Sequence, residues 1–221
     1  GKTAENLAEM YKISREEQDE FALNSQMKAT KAQESGRLAE EISDIVIPQR
    51  KGDPILVNKD EFIKPNSNLE ILGKLKPAFV KENGTVTAGN ASGLNDGAAA
   101  MIIASGDAVK NYGLKPLAKI VCSAVIGVEP RIMGIGPVDA TKLALKRAGL
   151  SLDQIDIIEL NEAFAAQSIA CLKELGIAND DERVNVNGGA IALGHPLGMS
   201  GARITYSAAL ELHKTGKKYA L

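Results

Sequence analysis

Strand-like and helix-like patterns alternate through the second half of the chain, and this alternation constrains the fold more than any other feature. Apolar runs rich in Ala, Val and Ile are each followed by a segment with helical periodicity. Strands that alternate with helices form sheets covered by helical layers, so an α/β fold is predicted. The predicted strands are residues 98–105, 118–128, 155–160 and 183–186, and the predicted helices are 106–112, 137–148, 162–175 and 200–214.

The first 95 residues are richer in charge and shorter of periodic apolar segments. A short helix is predicted from Thr3 to about Tyr11. Ser14 and Glu17 form a capping box, the pattern that begins a helix, and the helix that follows is predicted to run to Gly36. Beyond it we predict a hairpin with strands at 42–47 and 55–57, an irregular connection at 58–89, and a domain boundary near residue 95.

Composition excludes two classes of function. The 26 Lys and Arg are balanced by 28 Asp and Glu, and a net charge of −2 provides no field that would attract nucleic acid. No apolar run approaches the roughly 20 residues of a membrane-spanning helix, so no membrane partner is predicted. Cys122 and Cys171 lie in apolar runs, which predicts buried thiols in a reducing compartment rather than a disulfide.

Asn161 and Glu162 form the first candidate site. They follow the predicted strand at 155–160 and open the next helix. Ligands gather at the carboxyl ends of strands in α/β sheets, so polar side chains at this point are well placed to bind one. The structural alternative is that Asn161 caps the helix and Glu162 complements its dipole. Spacing alone favours that alternative.

A glycine-rich segment from Asn187 to Arg203, with His195 near its centre, forms the second candidate site. Glycine lets the backbone adopt conformations closed to other residues and approach a ligand closely. The spacing matches neither the phosphate-binding loop nor the dinucleotide fingerprint. With a reference pKa of about 6.5, a histidine here suits a general base. A hydrogen-bonded structural role is the alternative.

Several long segments resemble the signature segments of thiolases, enzymes that join and cleave acyl groups carried on coenzyme A. They are residues 87–97, 161–167 and 188–203, and residues 1–6 are similar to the start of the second part of the thiolase lid. The resemblance covers the whole chain and is greatest for the acetoacetyl-CoA type. It implies the layered αβαβα thiolase architecture, with a CoA-binding lid at 1–95, the last part of the N-terminal domain at 96–117 and the C-terminal α/β domain at 118–221.

By this resemblance, His195 corresponds to the histidine that deprotonates a nucleophilic cysteine for attack on an acyl-CoA thioester. Asn161 corresponds to the asparagine that holds a water, and this water and the imidazole form an oxyanion hole. Fixed donors of that kind contribute about 3 kcal/mol each where negative charge develops on oxygen. The two catalytic cysteines of the family are expected outside this chain, since neither Cys122 nor Cys171 matches them.

The resemblance also implies contacts with coenzyme A, which is expected as a substrate and not as a tightly bound cofactor; no metal is expected. Ser92 corresponds to a serine that contacts the pantetheine. Lys64 stands where many members carry Arg near the nucleotide, and Lys keeps the charge but lacks the planar fork that stacks on adenine. The residues that match the pantetheine channel or acyl pocket are Phe79, Ala88, Met133, Ala163 and Phe164; core packing is the alternative for each.

The function implied is that of an acetyl-CoA acetyltransferase, which condenses two acetyl-CoA to acetoacetyl-CoA and catalyses the reverse thiolysis through an acyl-cysteine. One alternative is a longer-chain 3-ketoacyl-CoA thiolase of fatty acid oxidation. Another is a non-catalytic protein that binds acyl-CoA. The predicted lid argues against the carrier-protein synthases. A cytoplasmic homo-oligomer, either a dimer or a tetramer, is expected.

The 221-residue chain is expected to show no thiolase activity by itself. Acyl transfer needs a thiolate to form the covalent intermediate, and an enzyme without its nucleophile retains only weak residual catalysis. The measurement is thiolytic cleavage of acetoacetyl-CoA by the purified chain against a buffer blank. Cleavage above the blank would show that no cysteine from outside the chain is required.

Overall fold

The computed structural model describes all residues from 1 to 221, and its helices follow the predicted pattern closely. None of these helices is both long enough and apolar enough to cross a membrane. The α-helices are α1 (Lys2–Met10), α2 (Arg15–Glu34), α3 (Leu69–Gly73), α4 (Gly106–Asn111), α5 (Gly136–Ala148), α6 (Ala165–Leu175), α7 (Ala190–Leu193) and α8 (Leu197–Thr215). Short 3₁₀ helices cover Leu38–Glu41, Pro130–Ile135 and Leu152–Gln154.

Local sequence signals explain where the main helices begin and end. The predicted capping box at the start of α2 is confirmed: the Ser14 hydroxyl accepts from the Glu17 amide at 3.0 Å, and the Glu17 carboxylate accepts from the Ser14 amide at 2.9 Å. Helices α5 and α6 end at Gly149 and Gly176, whose φ angles of 67° and 71° suit glycine.

Helix α6 lies at the centre of the core. Every residue from Ala165 to Leu172 is buried, and α1, α2 and α5 pack around this helix. Leu7 from α1 is completely buried in the same apolar cluster, as is Val86 from the segment between α3 and α4. Because these contacts join residues distant in sequence, the first 95 residues and the last 100 form one continuous core.

The predicted hairpin is present as two short antiparallel strands, β1 (Ile45–Ile47) and β2 (Ile55–Val57), in the register Ile45 opposite Val57. Its side chains are mostly exposed. The hairpin therefore extends from the core and contributes little apolar burial.

The predicted strand at 155–160 lies between two parallel neighbours, although each pairing is only a bridge long. Ile158 pairs with Val184, and Ile157 pairs with Ala220. The Asp156 amide donates to the Tyr219 carbonyl at 2.9 Å. The segment at 155–160 thus has its carboxyl end at the same edge as its two parallel neighbours. Asn161 and Glu162 follow it at that edge.

The predictions of a buried strand at 98–105 and of a second strand at 118–128 are wrong for this structure. Neither segment has regular structure, and Ile102 and Val125 are 87% and 88% exposed. The physical reason is the lack of pairing, because no other segment of residues 1–221 offers either one a row of backbone hydrogen bonds. The apolar side chains of such a segment would be buried only if a neighbouring strand paired with it.

The isolated chain is expected to self-associate at micromolar concentration because these segments expose apolar side chains to water. Replacing Ile102 and Val125 together by Lys should shift the population toward monomer. Sedimentation velocity measures the effect. A compact monomer that binds no apolar dye would contradict the expectation.

Candidate functional site

A cavity of about 260 Å³ opens where α1, the 3₁₀ helix Pro130–Ile135 and the start of α6 meet the glycine-rich segment. It brings together five of the residues predicted from sequence. They are Met133, Asn161, Ala163, Phe164 and His195. Its size is just below the roughly 300–1,000 Å³ of typical ligand pockets, so it suits an acyl group and not a whole coenzyme A.

His195 lies between two hydrogen-bond partners. Its Nε2 is 3.3 Å from Asn161 Nδ2, and its Nδ1 is 2.6 Å from Ser200 Oγ. The Ser200 hydroxyl donates to the Pro196 carbonyl at 3.1 Å, so its oxygen accepts a hydrogen bond from Nδ1–H. These partners assign the imidazole proton to Nδ1 and leave the Nε2 lone pair facing the Asn161 amide. His195 is therefore arranged as a base at Nε2.

The environment keeps this histidine neutral. Burial lowers the pKa of His195 below its ordinary value of 6.5, and the positive charge of Arg203 lowers it further. A neutral imidazole near pH 7 has its lone pair available, which is what a general base requires.

The backbone around His195 depends on one glycine. Gly194 has a φ of +94°, a conformation that residues with side chains rarely adopt. A Cβ at that position would lie 2.5 Å from Asn95 Oδ1. The His195 amide also donates to the Gly93 carbonyl at 3.3 Å, which connects the segment to residues 93–95.

Glu162 is structural, but it does not complement the helix dipole as its position suggested. Its buried carboxylate accepts from Ser25 Oγ at 2.6 Å, from Asn185 Nδ2 at 2.7 Å and from the Ile191 amide at 3.2 Å. Burial raises the pKa of Glu162, and these three bonds oppose that shift. Glu162 thus joins α2, the turn at Asn185 and α7 behind the cavity.

The helix-capping alternative for Asn161 is also not observed. Helix α6 begins at Ala165 with Phe164 at its N-cap, without a side-chain cap. The Asn161 side chain instead faces His195, and its Oδ1 is buried without a partner. An unpartnered acceptor beside a base is consistent with a place for a bound water or ligand group.

The residues expected to contact coenzyme A fall into two groups. Ser92 supports the cavity wall, since its hydroxyl donates to the Ala163 carbonyl at 3.1 Å, and the Phe79 ring packs edge-on against Phe164 at 6.0 Å. Lys64 and Ala88 are exposed and do not line the cavity. Lys64 Nζ lies 4.8 Å from the centre of the Phe62 ring.

Neither cysteine is placed as a nucleophile. Burial raises the pKa of the Cys171 thiol to about 11, and this thiol donates to the Gly134 carbonyl at 3.2 Å. The Cys122 thiol donates to the Ala144 carbonyl. Nucleophilic cysteines have lowered pKa values, so the buried Cys171 thiol acts as a packing group. The Cys122 thiol is only partly buried, which differs from the prediction that both thiols are buried. No cluster of three or more His, Cys, Asp or Glu side chains is placed to hold a metal ion.

Sequence reasoning missed six residues of the cavity lining, namely Thr3, Ala4, Gly134, Pro137, Leu160 and Gln167. Thr3 and Ala4 come from the far end of the chain, and no local signal places them there. Gln167 did carry a signal, because residues three apart share a helix face and Phe164 precedes it by three.

Comparison with known proteins agrees with this fold. The N-terminal domain model of thiolases matches residues 1–107, and the C-terminal domain model matches residues 114–221. The chain belongs to the thiolase family and has the thiolase fold. The predicted division at 95 and 117 stays a prediction.

Similar proteins align with this chain over almost its whole length. It is 58% identical to a beta-ketoadipyl-CoA thiolase of Acinetobacter baylyi, over 99% of this chain and 54% of that protein. The crystal structure of the Bacillus anthracis acetyl-CoA acetyltransferase has a TM-score of 0.95 at 50% identity, over 100% of this chain and 55% of that one. Human mitochondrial 3-ketoacyl-CoA thiolase in complex with CoA has a TM-score of 0.92 at 52% identity, over 99% and 53%. The chain spans about half the length of these relatives.

The imidazole of His195 is expected to titrate below pH 6.5, because burial and Arg203 both disfavour its charged form. Proton NMR of the imidazole resonances measures this directly, since the chain has only two histidines. A His213→Gln variant assigns the second resonance, which comes from the exposed end of α8. A His195 midpoint above 6.5 would contradict the electrostatic argument.

Proposed function

We propose that this chain supplies the histidine and asparagine side of an acyl-CoA C-acyltransferase site. The observation that carries the proposal is the pairing of the His195 Nε2 lone pair with Asn161 in a cavity sized for an acyl group. Acyl transfer from a thioester requires a base and a hydrogen-bonding group at one site, and His195 and Asn161 line the same cavity.

In the first step His195 Nε2 takes the proton of a cysteine thiol supplied from outside the chain. The thiolate attacks the carbonyl carbon of the acyl-CoA thioester, a new C–S bond forms, and the bond to the coenzyme A sulfur breaks. The proton held on Nε2 then passes to the departing coenzyme A thiolate. This sequence uses one titrating atom twice, which general acid–base catalysis allows.

In the second step a second base, the other cysteine expected outside the chain, takes a proton from the α-carbon of a second acyl-CoA, and negative charge develops on the thioester oxygen. The enolate carbon then forms a C–C bond with the acyl carbon, and the bond from that carbon to the first cysteine sulfur breaks. His195 can donate from Nε2 in its other neutral tautomer, in which the ring proton lies on Nε2 and Nδ1 accepts from the Ser200 hydroxyl. Asn161 can hold a water that acts as a second donor. Fixed donors in a site closed to bulk water stabilise such an oxyanion by about 3 kcal/mol each.

For the substrate we propose acetyl-CoA and acetoacetyl-CoA, with coenzyme A running from the cavity along the lid. Met133, Ala163 and Phe164 give the cavity an apolar wall suited to a short acyl chain. Ser92 and Phe79 support that wall. Lys64 and Ala88 would serve the more distant part of coenzyme A. We further propose a cytoplasmic homo-oligomer.

A second candidate substrate is 3-oxoadipyl-CoA. It is favoured because the Acinetobacter baylyi relative, at 58% identity, is named a beta-ketoadipyl-CoA thiolase. A longer-chain 3-ketoacyl-CoA is a third candidate, supported by the human 3-ketoacyl-CoA thiolase at 52% identity. All three candidates share the same bond chemistry and differ only in the distal part of the acyl group.

In the full-length enzyme, His195→Ala should lower both acylation and condensation by at least about 100-fold, because it removes the base and an oxyanion donor together. His213→Ala is the matched control, since His213 is the only other histidine and lies exposed on α8. Burst-phase kinetics with acetoacetyl-CoA separates the two steps. Normal condensation with weak coenzyme A binding would make His195 a binding residue, and binding without any turnover by the parent would favour the non-catalytic alternative.

A further inference from the structure

The hairpin β1–β2 carries apolar side chains on both of its faces. Directly opposite residues of an antiparallel pair point to the same face, so Val46 and Leu56 share one face and the other four strand residues share the second. The exposed members of this set are Ile45, Val46, Ile47, Ile55 and Leu56. A hairpin of two strands is at best marginally stable in water by itself. The exposed apolar faces therefore indicate that the hairpin has a partner in the assembled protein.

The outer edge of β2 is open to a further strand. β2 pairs with β1 only, so its outward-facing backbone N–H and C=O groups have no partner in the chain. The strand contains neither Pro nor a charged residue, the features that normally block an edge. The edge of β1 is less available, because the Ile47 carbonyl accepts from the Gln49 side-chain amide at 3.2 Å.

A second copy of β2 fits this open edge in an antiparallel register centred on Leu56. A two-fold axis at that residue places it opposite Leu56 of the second copy and places Ile55 opposite Val57, so every pair within the strands is apolar. Extending the same register beyond the strands brings Asp53 opposite Lys59. By symmetry this pair of opposite charges occurs twice.

Neighbouring registers fit less well. An axis at Ile55 would place Pro54, which has no backbone N–H, opposite Leu56 within the ladder. An axis at Val57 would place Ile55 opposite the charged Lys59. Asp53 and Lys59 are both exposed and make no ion pair within the chain, so each is available to a second copy.

We propose that β2 pairs antiparallel with β2 of a second copy of this chain, so that two hairpins form one four-stranded sheet about a two-fold axis at Leu56. Each strand contributes only three residues, and a stable interface buries roughly 1,200 Å² or more. The contact therefore strengthens an assembly that a larger interface also holds. This inference concerns assembly and does not depend on the proposed thioester chemistry.

Disulfide formation at the axis tests this proximity in the full-length protein. Directly opposite residues of antiparallel strands have Cα atoms roughly 4.5–5.5 Å apart, a separation that a disulfide spans. Leu56→Cys should therefore give a covalent dimer on non-reducing electrophoresis after mild oxidation, above the background that the native cysteines of the parent set. Val46→Cys is the matched control. Val46 lies opposite Leu56 in the hairpin and is similarly exposed, at 60% against 51%, but it lies on the far strand and should give no excess of dimer.

A charge exchange tests the register. Asp53→Lys should weaken self-association of the full-length protein by about 10-fold, because it places like charges opposite each other at two symmetry-related positions. Adding Lys59→Asp should restore the association, since opposite charges then face each other again. Asp44→Lys makes the same change of charge on the far strand and should have little effect. Sedimentation velocity at low salt measures all four proteins.

Each contrary outcome overturns a stated part of the proposal. If Leu56→Cys gives no more dimer than Val46→Cys, β2 does not meet a second copy, and another part of the full-length protein covers the hairpin. An Asp53→Lys defect that Lys59→Asp does not rescue would overturn the register. None of these residues lines the cavity, so thiolysis of acetoacetyl-CoA by the same variants reports separately on the proposed function.

Discussion

The buried carboxylate of Glu162 is the interaction on which the site geometry depends. It accepts hydrogen bonds from α2, from the turn at Asn185 and from the amide of Ile191 in α7. Gly189 passes so close that a Cβ there would lie 2.2 Å from the Glu162 Cδ atom. Losing a partner would leave a buried polar group unsatisfied, at a cost of about 1–3 kcal/mol. Asn161 precedes this anchor, and His195 follows the helix that the anchor holds.

Helix α1 is held to the core in a similar way, by a carboxylate that accepts several hydrogen bonds. Glu5 on α1 accepts from the amides of Thr85 and Val86 at 3.0 Å and from the Thr85 hydroxyl at 2.8 Å. This carboxylate fixes the start of the chain against the segment that leads to Ser92. The first turn of α1 therefore reaches the cavity wall as part of a rigid arrangement.

Sequence patterns predicted six of the eight α-helices, the capping box and the hairpin, because each depends on local chemistry. The short helices α3 and α7 were not predicted. The resemblance to thiolases implied that Asn161 and His195 act at one site, and the structure places them 3.3 Å apart. Sequence patterns failed for residues 98–105. An apolar pattern there predicts a strand, but no segment of the structure pairs with these residues. Sequence patterns also did not place Gln167 in the cavity. Gln167 lines the cavity together with Thr3 and Ala4 of α1, which lie more than 150 residues away in the chain, and no local periodicity predicts such a neighbour.

The burial and charges around His195 favour its neutral form, which the proposed role as a base requires. Burial raises the pKa of Glu159 to about 8, so this neighbour of Arg203 is mostly protonated near neutrality. The Nε and Nη2 atoms of Arg203 are buried without a hydrogen-bond partner. The guanidinium charge therefore acts on His195 and favours its neutral form. In the proposed reaction, a proton taken from a thiol would be held only weakly on Nε2, which would return it readily to a leaving thiolate.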